Sequence, residues 1–314
     1  MKTAYNFLRL IRYPNLLFII LTQCFFHFLI VIPILANWGF ISAVTNFNFG
    51  LLVLATVLLA AGGYIINDYF DVKIDAINKP QKLFISKLIH RRSAIIAHQV
   101  FTFIAIAIGV YLAWQVQNFR LAFIFPIVAA LLWFYSTTYK RQTFVGNFIV
   151  ALLTGLVVLM VVLYEQPLFK PTNYEQVMAG YAIFIRAFFY FLFAFLVSLI
   201  REIVKDMEDK NGDEIYGCKT LPIILGMQKT KSIVYLLGII VIILIGFVQT
   251  EPFLSRDYLT VIYLMQTVQF PMFVMQWLLY RADTQKDFNR ISTLVKVVML
   301  MGILTMGYFY FLMA

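Results

Sequence analysis

The chain alternates between long apolar runs and short polar stretches, and the runs set the architecture. A helix needs about 20 mostly apolar residues to cross the hydrocarbon of a bilayer. Nine segments meet that length, at approximately residues 14 to 36, 49 to 67, 94 to 114, 119 to 138, 146 to 164, 181 to 200, 232 to 249, 258 to 279 and 293 to 313. Backbone groups that face lipid must bond within their own segment, so each run is expected as a helix. The pattern predicts an all-α integral membrane protein with nine transmembrane helices. It also predicts one membrane domain over residues 1–314, with no linker or low-complexity tail. Pro126 and Pro271 fall inside runs, where a packing kink is tolerated.

The polar stretches add an orientation. Lys and Arg number 20 in the N-terminal segment and the stretches after runs two, four, six and eight, against 3 after the odd-numbered runs, counting Arg120 at the very start of the fourth run. This bias predicts a cytoplasmic N-terminus and, with an odd number of spans, a C-terminus outside the cell inner membrane. The N-terminal charges Lys2, Arg9 and Arg12 ahead of residues 14 to 36 resemble the start of a signal peptide. The apolar run exceeds the roughly 7–15 residues of such a signal, so it reads as a retained first span.

Composition agrees: 62% of the residues are hydrophobic and 13% charged, which excludes a soluble globule, whose apolar share is about 45–50%. No nucleic-acid partner is expected. Cys24 lies in the first run and Cys218 in a charged stretch, so neither a disulfide nor a metal site is expected between them. His27, His90 and His98 share no spacing and are read as structural or interfacial.

The chemistry gathers in two acidic stretches. "NDYFDVKID" places Asp68, Asp71 and Asp75 directly after an uncharged run, and "DMEDKNGD" places Asp206, Asp209 and Asp213 after the sixth. Each aspartate of the second set follows its counterpart by 138 residues, an echo that points to an internal repeat. At about 100° per residue the three acids of each set fall within a stripe about 60° wide on one helix face. Four spans separate the sets, so both are expected at the cytoplasmic side. Two acid stripes facing each other repel unless cations neutralise them. Mg²⁺ suits this role, because it takes one or two carboxylates and leaves positions for water and phosphate oxygens.

Other residues complete the candidate site. Asn67 precedes Asp68, and its amide oxygen is placed to join a metal shell; Asn15 is either a capping or interhelical hydrogen-bonding residue or faces a polar cavity. Lys140 and Arg141, Arg201 and Lys205, and Lys79 and Lys82 are basic neighbours of the acids, each also explained by the positive-inside bias. Tyr135 ends a span, where an interfacial anchor is also expected.

These residues resemble the UbiA superfamily of intramembrane prenyltransferases. "NDYFDVKID" looks like its first aspartate motif, "DMEDKNGD" like its second and "YSTTYKR" like its Tyr/Lys loop. The resemblance implies a helical bundle with a central cavity opening to the cytosolic side. It implies that Asn67, Asp68, Asp71, Asp75, Asp206, Asp209 and Asp213 hold Mg²⁺ and a diphosphate. Asp68, Asp71, Asp206, Asp209 and Lys140 are then the catalytic candidates. Asn15, Tyr135, Lys140, Arg201 and Lys205 are the substrate-binding candidates. "REIVKDMEDKNGD" followed by "GCKTLP" is most similar to the branch that transfers geranylgeranyl to geranylgeranylglyceryl phosphate. After Asp75 the sequence departs from many members, with Leu83 and Lys87 where a Pro and a Gly often fall.

The expected partners are an isoprenyl diphosphate and a lipophilic acceptor. Metal ions take up the charge that develops on diphosphate as the allylic C–O bond breaks, and the surrounding helices exclude water from the cation. An aromatic acceptor of quinone, hydroxybenzoate or chlorophyll type is the alternative within this class. A secondary transporter also combines repeats with buried acids, but its sites sit near the midplane. A non-catalytic cation-binding scaffold is the third reading.

Overall fold

In the computed structural model, helices satisfy the backbone wherever the chain is apolar. The structure describes residues 2–78, 85 and 89–313; Lys79, Lys82, Leu83 and Lys87 lie outside them. Among the described residues nine helices are long and apolar enough to span a membrane. They are Tyr13–Asn37, Asn46–Asn78, Arg91–Gln115, Phe119–Thr137, Val145–Tyr164, Tyr174–Ile215, Met227–Val248, Tyr258–Arg281 and Gln285–Leu312. The apolar runs therefore locate every spanning helix, but not its ends.

The second and sixth helices run 33 and 42 residues, well past their apolar cores. At about 1.5 Å per residue the longer one outreaches a hydrocarbon layer of about 30 Å roughly twofold. Both acidic stretches are thus continuations of spanning helices, not loops. The sixth helix stops where Gly217 takes a left-handed conformation (φ 68) and Cys218 N–H bonds back to the Asp213 carbonyl at 2.9 Å.

The prolines sit where a helix already departs from regular geometry. The first span carries a π-helical segment, Phe26–Val31, just before Pro33, and the eighth carries one, Met265–Gln269, just before Pro271. A π turn absorbs the carbonyl and N–H mismatch that proline imposes. Pro126 follows a 3-10 segment, Phe119–Phe123, and lies in the first turn of regular helix, where its missing N–H costs little.

The chain divides into two compact units, residues 1–140 with 156–188, and residues 141–155 with 189–314. In the first unit the second and third spanning helices pack closely. Gly62 lets its own carbonyl meet His98 Nδ1 at 3.0 Å, and a methyl at Gly109 would collide with the Phe125 ring. A short amphipathic helix, Lys2–Leu10, precedes the first span and was not anticipated from hydropathy. Its Leu10 is buried with Ile65, Ile85 and Ala94. At the end remote from the aspartates, the buried Glu165 carboxylate accepts from the Ser42 hydroxyl and from Ala43 N–H. Burial pushes that carboxyl up, against the pull of its hydrogen bonds from Ser42, Ala43 and Val44.

In the second unit Val197, Ile200, Ile203, Val204 and Met207 of the sixth helix pack with Val234, Val241, Met272, Met275, Val295 and Val298. Lipid tails are as apolar as these side chains, so close packing, not exclusion from water, holds spanning helices together. Glycine makes the approach possible: Gly155 meets Phe191 and Gly302 meets Phe193, with no room for a methyl at either position.

Candidate active site

In the first unit the acid stripe is met by cations from two other elements. Arg12 sits in the turn between the N-terminal helix and the first span, in a left-handed conformation (φ 52, ψ 52) uncommon for a side-chain-bearing residue. Its guanidinium bonds the Asp68 carboxylate at 2.6 Å and lies over the Tyr64 ring, 5.1 Å from its centroid. Burial works against its charge, yet the carboxylates of Asp68 and Asp75 together hold its pKa above the ordinary value. Lys140, in the short 3-10 turn Tyr139–Arg141, forms an ion pair with Asp71 and reaches Asn67 Oδ1 at 3.5 Å.

Asn67 donates its amide N–H to Asp71 Oδ2 at 2.9 Å, one helical turn along. The sequence suggested its oxygen as a metal ligand; here that oxygen faces Lys140, and the amide orients a neighbouring acid. Asp71 is buried, with 10% of its side chain exposed, and Asp75 is half-buried. Asn15 is half-buried and its backbone N–H bonds to the Arg12 carbonyl at 2.8 Å. Its side chain makes no hydrogen bond to the described residues. Tyr135 is half-buried one turn before the Lys140 segment.

In the second unit the stripe has different company. Asp206 Oδ2 accepts from Asn147 Nδ2 at 2.9 Å, and the carboxylates of Asp213, Glu202 and Asp209 all act on it electrostatically. Arg201 and Lys205 do not touch Asp206. Both turn to Glu202, Arg201 Nη1 at 2.6 Å and Lys205 Nζ at 3.2 Å. Glu208 points elsewhere and accepts from Asn289 at 2.8 Å.

Arg12, Asn147 and Glu202 were absent from the sequence-based site. Glu202 precedes Asp206 by four residues, so the face arithmetic that grouped the aspartates also includes it. Arg12 is hidden in the basic N-terminal segment, and Asn147 has no spacing relation to any acid.

The donor set suits Mg²⁺. Every candidate is a hard oxygen, and three other carboxylates act on that of Asp206. Among the described residues no three acids form a ready-made metal cage. Mg²⁺ does not need one, since one or two carboxylates with water and phosphate oxygens complete its shell. A cavity of about 120 Å³ in the first unit, lined by Leu35, Phe40, Glu165, Leu168 and Gln176, includes none of the candidate residues.

The model of the UbiA prenyltransferase family matches residues 16–311, nearly the whole chain. The chain belongs to this family. A digeranylgeranylglyceryl phosphate synthase from Thermococcus gammatolerans is 32% identical over 255 residues, covering 81% of this chain and 82% of the relative. A solved structure of digeranylgeranylglyceryl phosphate synthase in membranes aligns over 97% of this chain and 98% of its own, with 25% identity and a TM-score of 0.59. A UbiA homolog from Archaeoglobus fulgidus, bound to GPP and Mg²⁺, has the same fold, at 15% identity and a TM-score of 0.55 over 96% of this chain and 99% of its own. The UbiA match covers all nine spanning helices and both aspartate stretches, so the resemblance carried by short motifs extends to the chain as a whole.

Proposed function

We propose that this chain catalyses Mg²⁺-dependent transfer of a geranylgeranyl group from its diphosphate to the hydroxyl of geranylgeranylglyceryl phosphate in the cell inner membrane. The reading is supported by the buried acid set in which Asp68 and Asp71 are each held by a cation from another element. The name of the T. gammatolerans relative supports the acceptor, and the GPP and Mg²⁺ of the A. fulgidus homolog support the donor class and the metal.

In this reading Asp68, Asp71 (oriented by Asn67) and Asp75 of the first unit, and Asp206, Asp209 and Asp213 of the second, would hold Mg²⁺. Bound Mg²⁺ supplies Lewis-acid stabilisation of a diphosphate leaving group. Lys140 and Arg12 turn from their aspartates toward the diphosphate oxygens and take up charge as it develops. The C1–O bond breaks with its electron pair passing to diphosphate. The acceptor hydroxyl oxygen bonds to C1 and loses its proton, giving an ether, diphosphate and H⁺. Apolar helix walls keep water from the allylic cation. The acids face the cytoplasm, as does the N-terminus.

The experiment incubates purified protein with geranylgeranyl diphosphate, Mg²⁺ and a panel of glycerol phosphate lipids and aromatic acceptors, with products identified by mass. The expected product is digeranylgeranylglyceryl phosphate, lost in Asp68→Ala and Asp206→Ala variants that still insert into membranes. Turnover that persists in excess chelator, or a product formed only with aromatic acceptors, overturns the metal role or the acceptor respectively.

A further inference from the structure

The two acidic stretches match at every aspartate but differ at the residue just before the first. Asn67 precedes Asp68, whereas Lys205 occupies the corresponding place before Asp206. The first unit uses its asparagine amide to fix a carboxylate, Asn67 Nδ2 on Asp71 Oδ2. The second stretch has lost that amide, and its lysine turns to Glu202.

An amide nevertheless arrives from another helix. Asn147 lies in the first turn of the fifth span, only 7% exposed, and donates to Asp206 Oδ2 at 2.9 Å. Its position is set on both sides. Before it, Phe144 adopts a left-handed conformation (φ 66), Thr143 Oγ1 bonds the Lys219 carbonyl at 2.7 Å, and Lys219 N–H bonds the Arg141 carbonyl at 2.9 Å. Two turns deeper, Ser198 donates to Thr154 at 3.3 Å, and Gly155 lets the fifth helix approach Phe191 of the sixth. The fifth and sixth helices are thus stitched at several levels, and Asn147 is the stitch nearest the acids.

We infer that Asn147 is a positioning residue for Mg²⁺ at Asp206, replacing the amide that the second stretch lacks. A neutral donor orients the carboxylate and occupies one oxygen without cancelling its charge, so Oδ1 stays available to a divalent ion. A lysine or arginine in the same place would compete with the metal. The inference rests on the metal-dependent transfer proposed above and adds to it one residue outside both aspartate motifs.

The test compares wild type with Asn147→Leu, which keeps the approximate shape, and with Asn147→Ala should the leucine variant fail to insert. Prenyl transfer is measured across a Mg²⁺ titration. Mn²⁺ binding with inorganic diphosphate present is followed by electron paramagnetic resonance, which needs no turnover. Loss of a group that orients a metal ligand weakens metal affinity about 10–100-fold. Both the Mg²⁺ requirement and the Mn²⁺ affinity should shift by this amount, with most of the turnover recovered at saturating Mg²⁺. Variants that insert with unchanged metal affinity, or whose turnover no Mg²⁺ concentration restores, overturn the role. Asp206→Ala run in parallel separates the two readings. If it turns over like wild type, the metal assignment fails and the inference with it. If it is inactive while the Asn147 variants match wild type, only the inference fails.

Discussion

Lys140 shows how much of the site a single side chain carries. Its ammonium pairs with Asp71, whose side chain is 10% exposed, and also reaches Asn67. Removing one partner of a desolvated pair leaves the other uncompensated, which costs more than the pair itself contributes. Removing a contact to developing charge typically lowers turnover about 10²–10³-fold. Lys140→Met should therefore lose about 10²-fold or more in kcat/KM while the protein still elutes as a folded species. Wild-type kcat/KM in that variant would leave Lys140 with a topological role only. At this scale the sequence reveals acids better than their partners. Regular spacing exposes Asp68, Asp71 and Asp75 with their counterparts Asp206, Asp209 and Asp213, and one turn back from Asp206 the same arithmetic reaches Glu202. Asn147 and Arg12 become visible only when other elements fold back onto the stripe.

Among the elements, hydropathy locates each spanning helix because lipid demands internally bonded backbone. It misplaces the ends of the second and sixth because the first charge ends the apolar signal, not the helix. The sixth continues through about four turns of charged sequence, ending at Ile215 just before Gly217. The N-terminal helix Lys2–Leu10 is missed for a related reason, since its short amphipathic pattern is overshadowed by the long run beside it. Helix contacts depend on small residues that periodicity does not announce. Gly302 lies against the Phe193 ring within the second unit. Gly302→Val should cost about 1–3 kcal/mol through overpacking, read as a lower Tm in detergent. An unchanged Tm would mean that the ring yields freely.

For the molecule as a whole, the internal echo and the division into two compact units carry complementary information. One acid stretch of the 138-residue echo lies in each unit, and an odd number of spans would put the termini on opposite faces. That orientation rests on charge bias and is open to a direct measurement. A cysteine at the exposed Ile41, between the first two spans, should react with an impermeant maleimide on intact cells. One at the exposed Lys286, in the first turn of the ninth, should react only after permeabilisation. The reverse pattern would place both acid stretches on the outer face and remove them from a cytoplasmic diphosphate pool.

The pairing of Arg12 with Asp68 and of Lys140 with Asp71 bears on how these two acids would take up a divalent ion. A lone divalent cation must evict a guanidinium or an ammonium and offers that displaced charge no anion in exchange. An incoming metal–diphosphate complex offers phosphate oxygens to both. At these two acids admission would therefore be joint: magnesium alone would leave both ion pairs closed, and the metal would enter there together with a diphosphate.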